Sequence, residues 1–149
     1  MKHLRLGFTK VKDLSPLAEL VHLELLQLEF VGATDFQQLA GFKELKLLDL
    51  SGTAFADTTL LTGLTKLETL NMHQTKIRDL TPLKDLKHLK LLGINYTAVE
   101  NLRPMASLMR AGMQCNFNGC AFKDPPKTVY RRGQQSILKH WENEWKRRF

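Results

Sequence analysis

Cut every 22 residues from Met1, the chain falls into register with itself. The units begin at Met1, Leu23, Leu45, Leu67 and Leu89, and the fourth, LETLNMHQTKIRDLTPLKDLKH, shows the pattern best. Position 4 holds Leu4, Leu26, Leu48, Leu70 and Leu92; position 6 holds Leu6, Leu28, Leu50, Met72 and Ile94. Position 9 reads Thr9, Val31, Thr53, Thr75 and Thr97, and position 11 reads Val11, Ala33, Phe55, Ile77 and Val99. Leu17, Leu39, Leu61, Leu83 and Met105 share position 17; Leu20, Phe42, Leu64, Leu86 and Leu108 share position 20. A one-residue slip opens a degenerate sixth unit at Gly112, with Cys115, Phe117, Cys120 and Phe122 in the leading columns. Chance does not keep such columns aligned, and a period of this length means stacked units that bury one continuous core.

Each column has a physical reading. Positions 4 and 6 alternate with polar neighbours, as a short strand with one buried face requires. Stacking pairs these strands in parallel, about 4.8 Å apart. At position 9 a Thr hydroxyl can satisfy backbone groups where the chain turns inward. Ser15-Pro16 and Thr81-Pro82 read as an N-cap followed by Pro at the first helical position. The convex side is therefore expected to carry single 3-10 turns.

L-x-x-L-x-L at such a period is the mark of a leucine-rich repeat. The motif T-x-[IV]-x-D-L-x-P-L-x-x-L, at Thr9–Leu20 and Thr75–Leu86, resembles the short bacterial and internalin-type repeats. It is also similar to the protein-phosphatase-binding regulatory subunits built from 22-residue repeats. The resemblance covers residues 1–122 and implies an α/β solenoid. Parallel strands would line the concave face of an arc, with 3-10 turns on the convex face. Ala33, Gln38 and Thr58 depart from the motif, so the convex turns of units 2 and 3 are expected to be looser.

Residues 123–149 are expected to form a C-terminal capping helix. The stretch NGCAFKDPPKTVYRRGQQSILKHW, residues 118–141, resembles the ending of many bacterial and Roco-type repeat proteins. Gly119, Phe122, Pro125, Pro126, Val129, Gly133, Ile137 and Trp141 carry the match, with Ser136 in place of a usual Ala. Pro125-Pro126 stops the repeat. A helix from Lys127 would bury a stripe of Val129, Ile137, Trp141 and Trp145, widened by Tyr130 and Leu138, with Gly133 inside it allowing close approach to the last coil. Before Met1 there is no capping segment in phase, which suggests missing upstream sequence, or self-association through the first strand's edge.

In this arrangement positions 3, 5, 7 and 8 line the concave face. Their rows give the candidate partner-binding residues: Leu25, Leu47, Thr69 and Leu91; Gln27, Asp49 and Asn71; Glu29, His73 and Asn95; Phe30 and Tyr96. Apolar groups rimmed by polar ones at solvated positions suit a protein or peptide interface.

Catalytic chemistry finds little support. His22 and His88 share a convex column; His73, near Asp49 and Glu29, forms at most a polar cluster. His140 and Glu144 sit one helical turn apart, but a metal site needs three or four ligands, so neither metal nor cofactor is expected. Cys115 and Cys120 fall in buried columns and read as core thiols. There is no G-x-x-x-x-G-K-[ST] motif, and the NYT sequon at Asn95 carries little weight without a secretory leader. No apolar run suits a membrane span and no signal peptide is evident, so a cytoplasmic protein is expected.

The formal net charge is +7. Residues 1–122 hold 14 Lys and Arg against 12 Asp and Glu, whereas residues 123–149 hold 8 against 3. The basic character belongs to the tail, which argues against nucleic-acid binding by the solenoid. The expected function is therefore non-enzymatic recognition of a protein or peptide. The alternatives are the recognition part of a larger bacterial signalling, effector or immunity protein, and an anion or nucleic-acid binder acting through the tail.

Overall fold

The computed structural model describes residues 1–148; Phe149, the end of the expected cap segment, lies outside them. Among the described residues, six strands form one parallel sheet in chain order: β1 (His3–Arg5), β2 (Leu25–Gln27), β3 (Leu47–Asp49), β4 (Thr69–Asn71), β5 (Leu91–Gly93) and β6 (Gln114–Asn116). Each repeat position pairs with itself, Leu4 with Leu26, Leu26 with Leu48, Leu48 with Leu70, Leu70 with Leu92 and Leu92 with Cys115. The slip before unit six is absorbed on the convex side. There the 3-10 turn Arg103–Met105 runs on into helix α1 (Ala106–Arg110), and Gly112 turns the chain at φ 102°.

The position-4 and position-6 side chains point inward and, from Leu26 to Ile94, are essentially sealed from solvent. Burying each such side chain stabilises the fold by roughly 1.5–3 kcal/mol before ordering costs. Behind the strands, the position-9 hydroxyls of Thr9, Thr53, Thr75 and Thr97 donate to the carbonyls of Leu6, Leu50, Met72 and Ile94 at 2.5–2.8 Å. In unit six Cys120 instead reaches back one unit, its Sγ donating at 3.1 Å to the Ile94 carbonyl that also takes the Thr97 hydroxyl.

The convex turns are capped differently from the sequence reading. The N-cap positions are Leu14 and Leu80, which make no side-chain cap bond, and Ser15 and Thr81 are the first residues inside the turns. Instead the position-13 carboxylate or amide, two residues upstream, accepts the backbone N–H. Asp13, Asp35, Asp57, Asp79 and Asn101 accept from Ser15, Gln37, Thr59, Thr81 and Arg103 at 2.8–3.0 Å. A short side chain reaching its own backbone two residues on satisfies a donor that the turn would otherwise leave open. Units 2 and 3 are not loosened. Their 3-10 turns, Gln37–Gly41 and Thr58–Leu61, are longer than Ser15–Leu17 and Thr81–Leu83. The Thr58 hydroxyl also ties its turn to the Asp79 carbonyl at 2.9 Å.

The tail is two helices rather than one: α2 (Lys127–Tyr130) and α3 (Gln134–Arg148). Gly133 lies between them at φ 88°, and a Cβ there would meet nothing. Its role is therefore a left-handed break, which favours glycine, and not close packing. The break resets the helix phase. Ile137, Leu138 and Trp141 close the core, Val129 and Tyr130 pack against it half-buried, and Trp145 is 66% exposed. Of the expected stripe, Leu138 is therefore part of the seal and Trp145 is not.

Candidate functional site

The concave rows assemble as the repeat dictates. Leu25, Leu47, Thr69 and Leu91 stand side by side in register, each half-buried by its neighbours along the sheet. Gln27, Asp49 and Asn71 form the next row, and Glu29, His73 and Asn95 the third, all half-buried. Phe30 and Tyr96, with Phe8, remain exposed at 48%, 64% and 75%.

Polar side chains link one unit to the next across this face. Arg5 Nε donates to Gln27 Oε1 at 2.7 Å, and Asn71 Nδ2 to Asp49 Oδ2 at 3.1 Å. The other Asp49 oxygen accepts the Ser51 N–H at 2.9 Å. His73 Nδ1 accepts the Asn95 N–H at 3.0 Å, and Asn95 Oδ1 accepts the Asn118 N–H at 2.7 Å. His73 is thus a structural acceptor whose Nε2 carries the proton. Burial lowers its pKa, against the opposing pull of Asp49. Glu29 Oε2 and Ser51 Oγ are buried at the centre of the face with no hydrogen-bond partner among the described residues.

Position 8 has a property the residue types did not announce. Phe8, Phe30, Gly52, Gln74, Tyr96 and Gly119 all turn at φ between 55° and 74°. The left-handed turn swings the aromatic rings along the sheet onto the following unit. Phe8 stacks on Phe30 with centroids 5.0 Å apart. The Phe30 ring covers Gly52 and the Tyr96 ring covers Gly119, where in each case a Cβ would overlap the ring.

Elsewhere the chemistry stays sparse. No group of three or more His, Cys, Asp or Glu that could hold a metal occurs among the described residues. His140 Nε2 lies 3.5 Å from Glu144. Cys115 and Cys120 are buried free thiols, and burial pushes the Cys115 thiol up. Two residues absent from the sequence reading hold the cap. Arg103 pairs with both Asp124 and Glu144 and lies over the Trp141 ring, 5.6 Å from its centroid. Gln134 meets the edge of β6: its Oε1 accepts the Cys115 N–H at 3.1 Å and its Nε2 donates to the Met113 carbonyl at 2.6 Å.

Residues 43–85 match the family model for leucine-rich repeats in two copies. A comparison with curated proteins returns no match. Among solved structures, the chain is similar to internalin C2 of Listeria monocytogenes, with a TM-score of 0.79 and 26% identity over 90% of this chain and 58% of that one. It is also similar to the L. monocytogenes internalin InlF, with a TM-score of 0.76 and 24% identity over 80% of this chain and 35% of that one. A Leptospira interrogans leucine-rich-repeat protein gives 0.76 and 19% over 93% of this chain and 41% of its own. The chain spans between 35% and 58% of the length of these three structures. No helix among the described residues is long and apolar enough to cross a membrane. The chain is built as a leucine-rich-repeat solenoid of the bacterial, internalin-like architecture, closed by C-terminal capping helices.

Proposed function

We propose that this scaffold is a non-enzymatic recognition module that binds a protein or peptide through its concave face. The observation that carries the reading is the pre-set aromatic column. Phe8, Phe30 and Tyr96 are exposed, yet their rings are laid down on a neighbouring ring or glycine. Anchors held in one orientation lose little freedom on binding, and aromatic groups in such settings dominate interface energetics. Leu25, Leu47, Thr69 and Leu91 supply the apolar floor, and Gln27, Asp49, Asn71, His73 and Asn95 the polar rim. Capture from the native host tests the reading, comparing the unaltered protein with Phe30→Ala/Tyr96→Ala and with a tail variant, Arg132→Ala/Lys146→Ala. Loss of the captured partner only in the aromatic variant supports concave recognition; retention in that variant sinks it.

The same reading treats residues 1–122 as the recognising unit and 123–149 as its cap, in a cytoplasmic setting that suits two unbridged thiols. Because the chain spans at most 58% of the first two solved structures, a place within a larger signalling, effector or immunity protein is a second reading. Self-association through the β1 edge would show as a concentration-dependent mass in sedimentation. Anion binding by the basic tail would weaken steeply with salt.

A further inference from the structure

The sheet ladder follows one rule from unit to unit. The position-6 N–H donates to the position-5 carbonyl of the next unit, from Leu6 to Gln27 at one end through Ile94 to Asn116 at the other, each at 2.7–2.8 Å. The position-8 N–H likewise donates to the next position-7 carbonyl, from Phe8 to Glu29 through Tyr96 to Asn118, again at 2.8 Å. In unit six these donors are the N–H groups of Phe117 and Gly119. Among the described residues no seventh strand follows, and neither group has a partner.

The capping tail covers this edge only in part. Gln134 takes the two groups at the start of β6, Cys115 N–H and Met113 C=O, as a neighbouring strand would. Beyond Gln134 a groove of about 700 Å³ runs along Phe117–Gly119, walled on the other side by Lys127, Tyr130 and Arg131 of the tail. Its walls hold two cations and no carboxylate.

We propose that this groove takes an extended acidic peptide segment of a partner protein as a seventh, edge-added strand. Two of its carbonyls, two residues apart, accept the Phe117 and Gly119 N–H groups, and an acidic side chain pairs with Lys127 or Arg131. Main-chain bonds supply affinity in such strand addition, while side-chain pockets and charges select the sequence. Gln134 blocks one end and so fixes where the added strand begins. The groove meets the concave face only at the last units, where the Tyr96 ring covers Gly119.

The test is amide NMR on the intact 15N-labelled chain. The probe is an N-acetylated, C-amidated peptide of alternating Val and Glu, eight residues long, with a Val–Lys counterpart as control. Saturable shifts and slowed hydrogen exchange are expected at Phe117 and Gly119 with the Val–Glu peptide alone. Lys127→Glu/Arg131→Glu, at two exposed positions, should weaken binding by about tenfold or more. Phe8→Ala/Phe30→Ala, in the first two units, should leave it unchanged. No saturable shift at either amide at millimolar peptide, or equal binding of the Val–Lys peptide, overturns the proposal. Shifts at these amides that grow with protein concentration before peptide is added also overturn it, and make a second copy of the chain the occupant.

Discussion

Trp141 donates its indole N–H to the Asp124 carboxylate at 3.0 Å, and the repeat explains why that carboxylate is free to accept it. Counted from Gly112, Asp124 occupies position 13, the column whose side chain caps the convex turn in the five units before it. The residue two further on is Pro126, which has no N–H to offer. A side chain that elsewhere closes its own unit here grips the lid, and Arg103 binds its other oxygen from the preceding unit. Asp124→Ala should therefore strip the cap of both contacts and destabilise the chain by about 1–3 kcal/mol. Asp124→Asn, which keeps an acceptor for the indole but loses the charge facing Arg103, should cost less. Urea unfolding followed by Trp fluorescence orders the two.

The two tail tryptophans should behave differently. Trp141 is 3% exposed beneath α3, whereas Trp145 is 66% exposed beyond the end of the core. Trp141→Ala leaves a cavity and should cost about 3–5 kcal/mol. Trp145→Ala should cost at least about 2 kcal/mol less, since little of its surface leaves water on folding. Equal losses in thermal denaturation would mean that the lid extends to the helix end.

How much of this was written in the sequence depends on what each residue contributes. The strand register was legible because columns such as Leu4–Leu26–Leu48 tolerate only apolar side chains, and a 22-residue period leaves one way to stack them. The caps were misread because Ser15-Pro16 and Thr81-Pro82 mimic an N-cap, while Asp13 and Asp79 act from two residues away. The tail break at Gly133 was hidden because glycine within a helical stripe and glycine at a left-handed break look alike in one dimension. Position 8 was half legible: its rows named Phe30 and Tyr96, but nothing in an aromatic residue announces a positive φ.

A further pattern becomes meaningful only once the units are stacked. Position 2 reads Lys2, Glu24, Lys46, Glu68 and Lys90, so every neighbour along the column has the opposite sign. Glu24 pairs with Lys2 at 2.6 Å and Lys46 at 2.8 Å, and Glu68 with Lys90 at 2.5 Å. Hydrogen bonds from Lys2 and then Lys46 hold the Glu24 carboxyl at about 2, against an ordinary 4.5. A carboxyl depressed in the folded state contributes stability that is complete above its unfolded pKa and is lost as pH falls through the folded one. The stability gap between the unaltered protein and Glu24→Gln should hold above pH 4.5 and close between 4.5 and about 2. Because all three groups meet solvent, about 1 M salt should narrow the gap at neutral pH. A gap that ignores both acid and salt would mean that the column does not act through charge.

The position-8 turns allow one change that should strengthen the fold and one that should damage the candidate site. Gln74 holds φ 55° with a side chain, a conformation that costs a non-glycine residue about 1–2 kcal/mol. Gln74→Gly relieves that cost but adds freedom to the unfolded chain, so a net gain of about 0.5–1 kcal/mol is expected. Gly52 turns at φ 68° beneath the Phe30 ring, and Gly52→Ala brings a Cβ into the space the ring occupies. The ring must then leave its seat, breaking the stack on Phe8. Gly52→Ala should therefore lose about 1 kcal/mol or more and move the Phe8 and Phe30 ring proton signals together. Movement of Phe30 alone would show that the two rings are not mechanically coupled, and would remove the argument that the aromatic column is set in advance of binding.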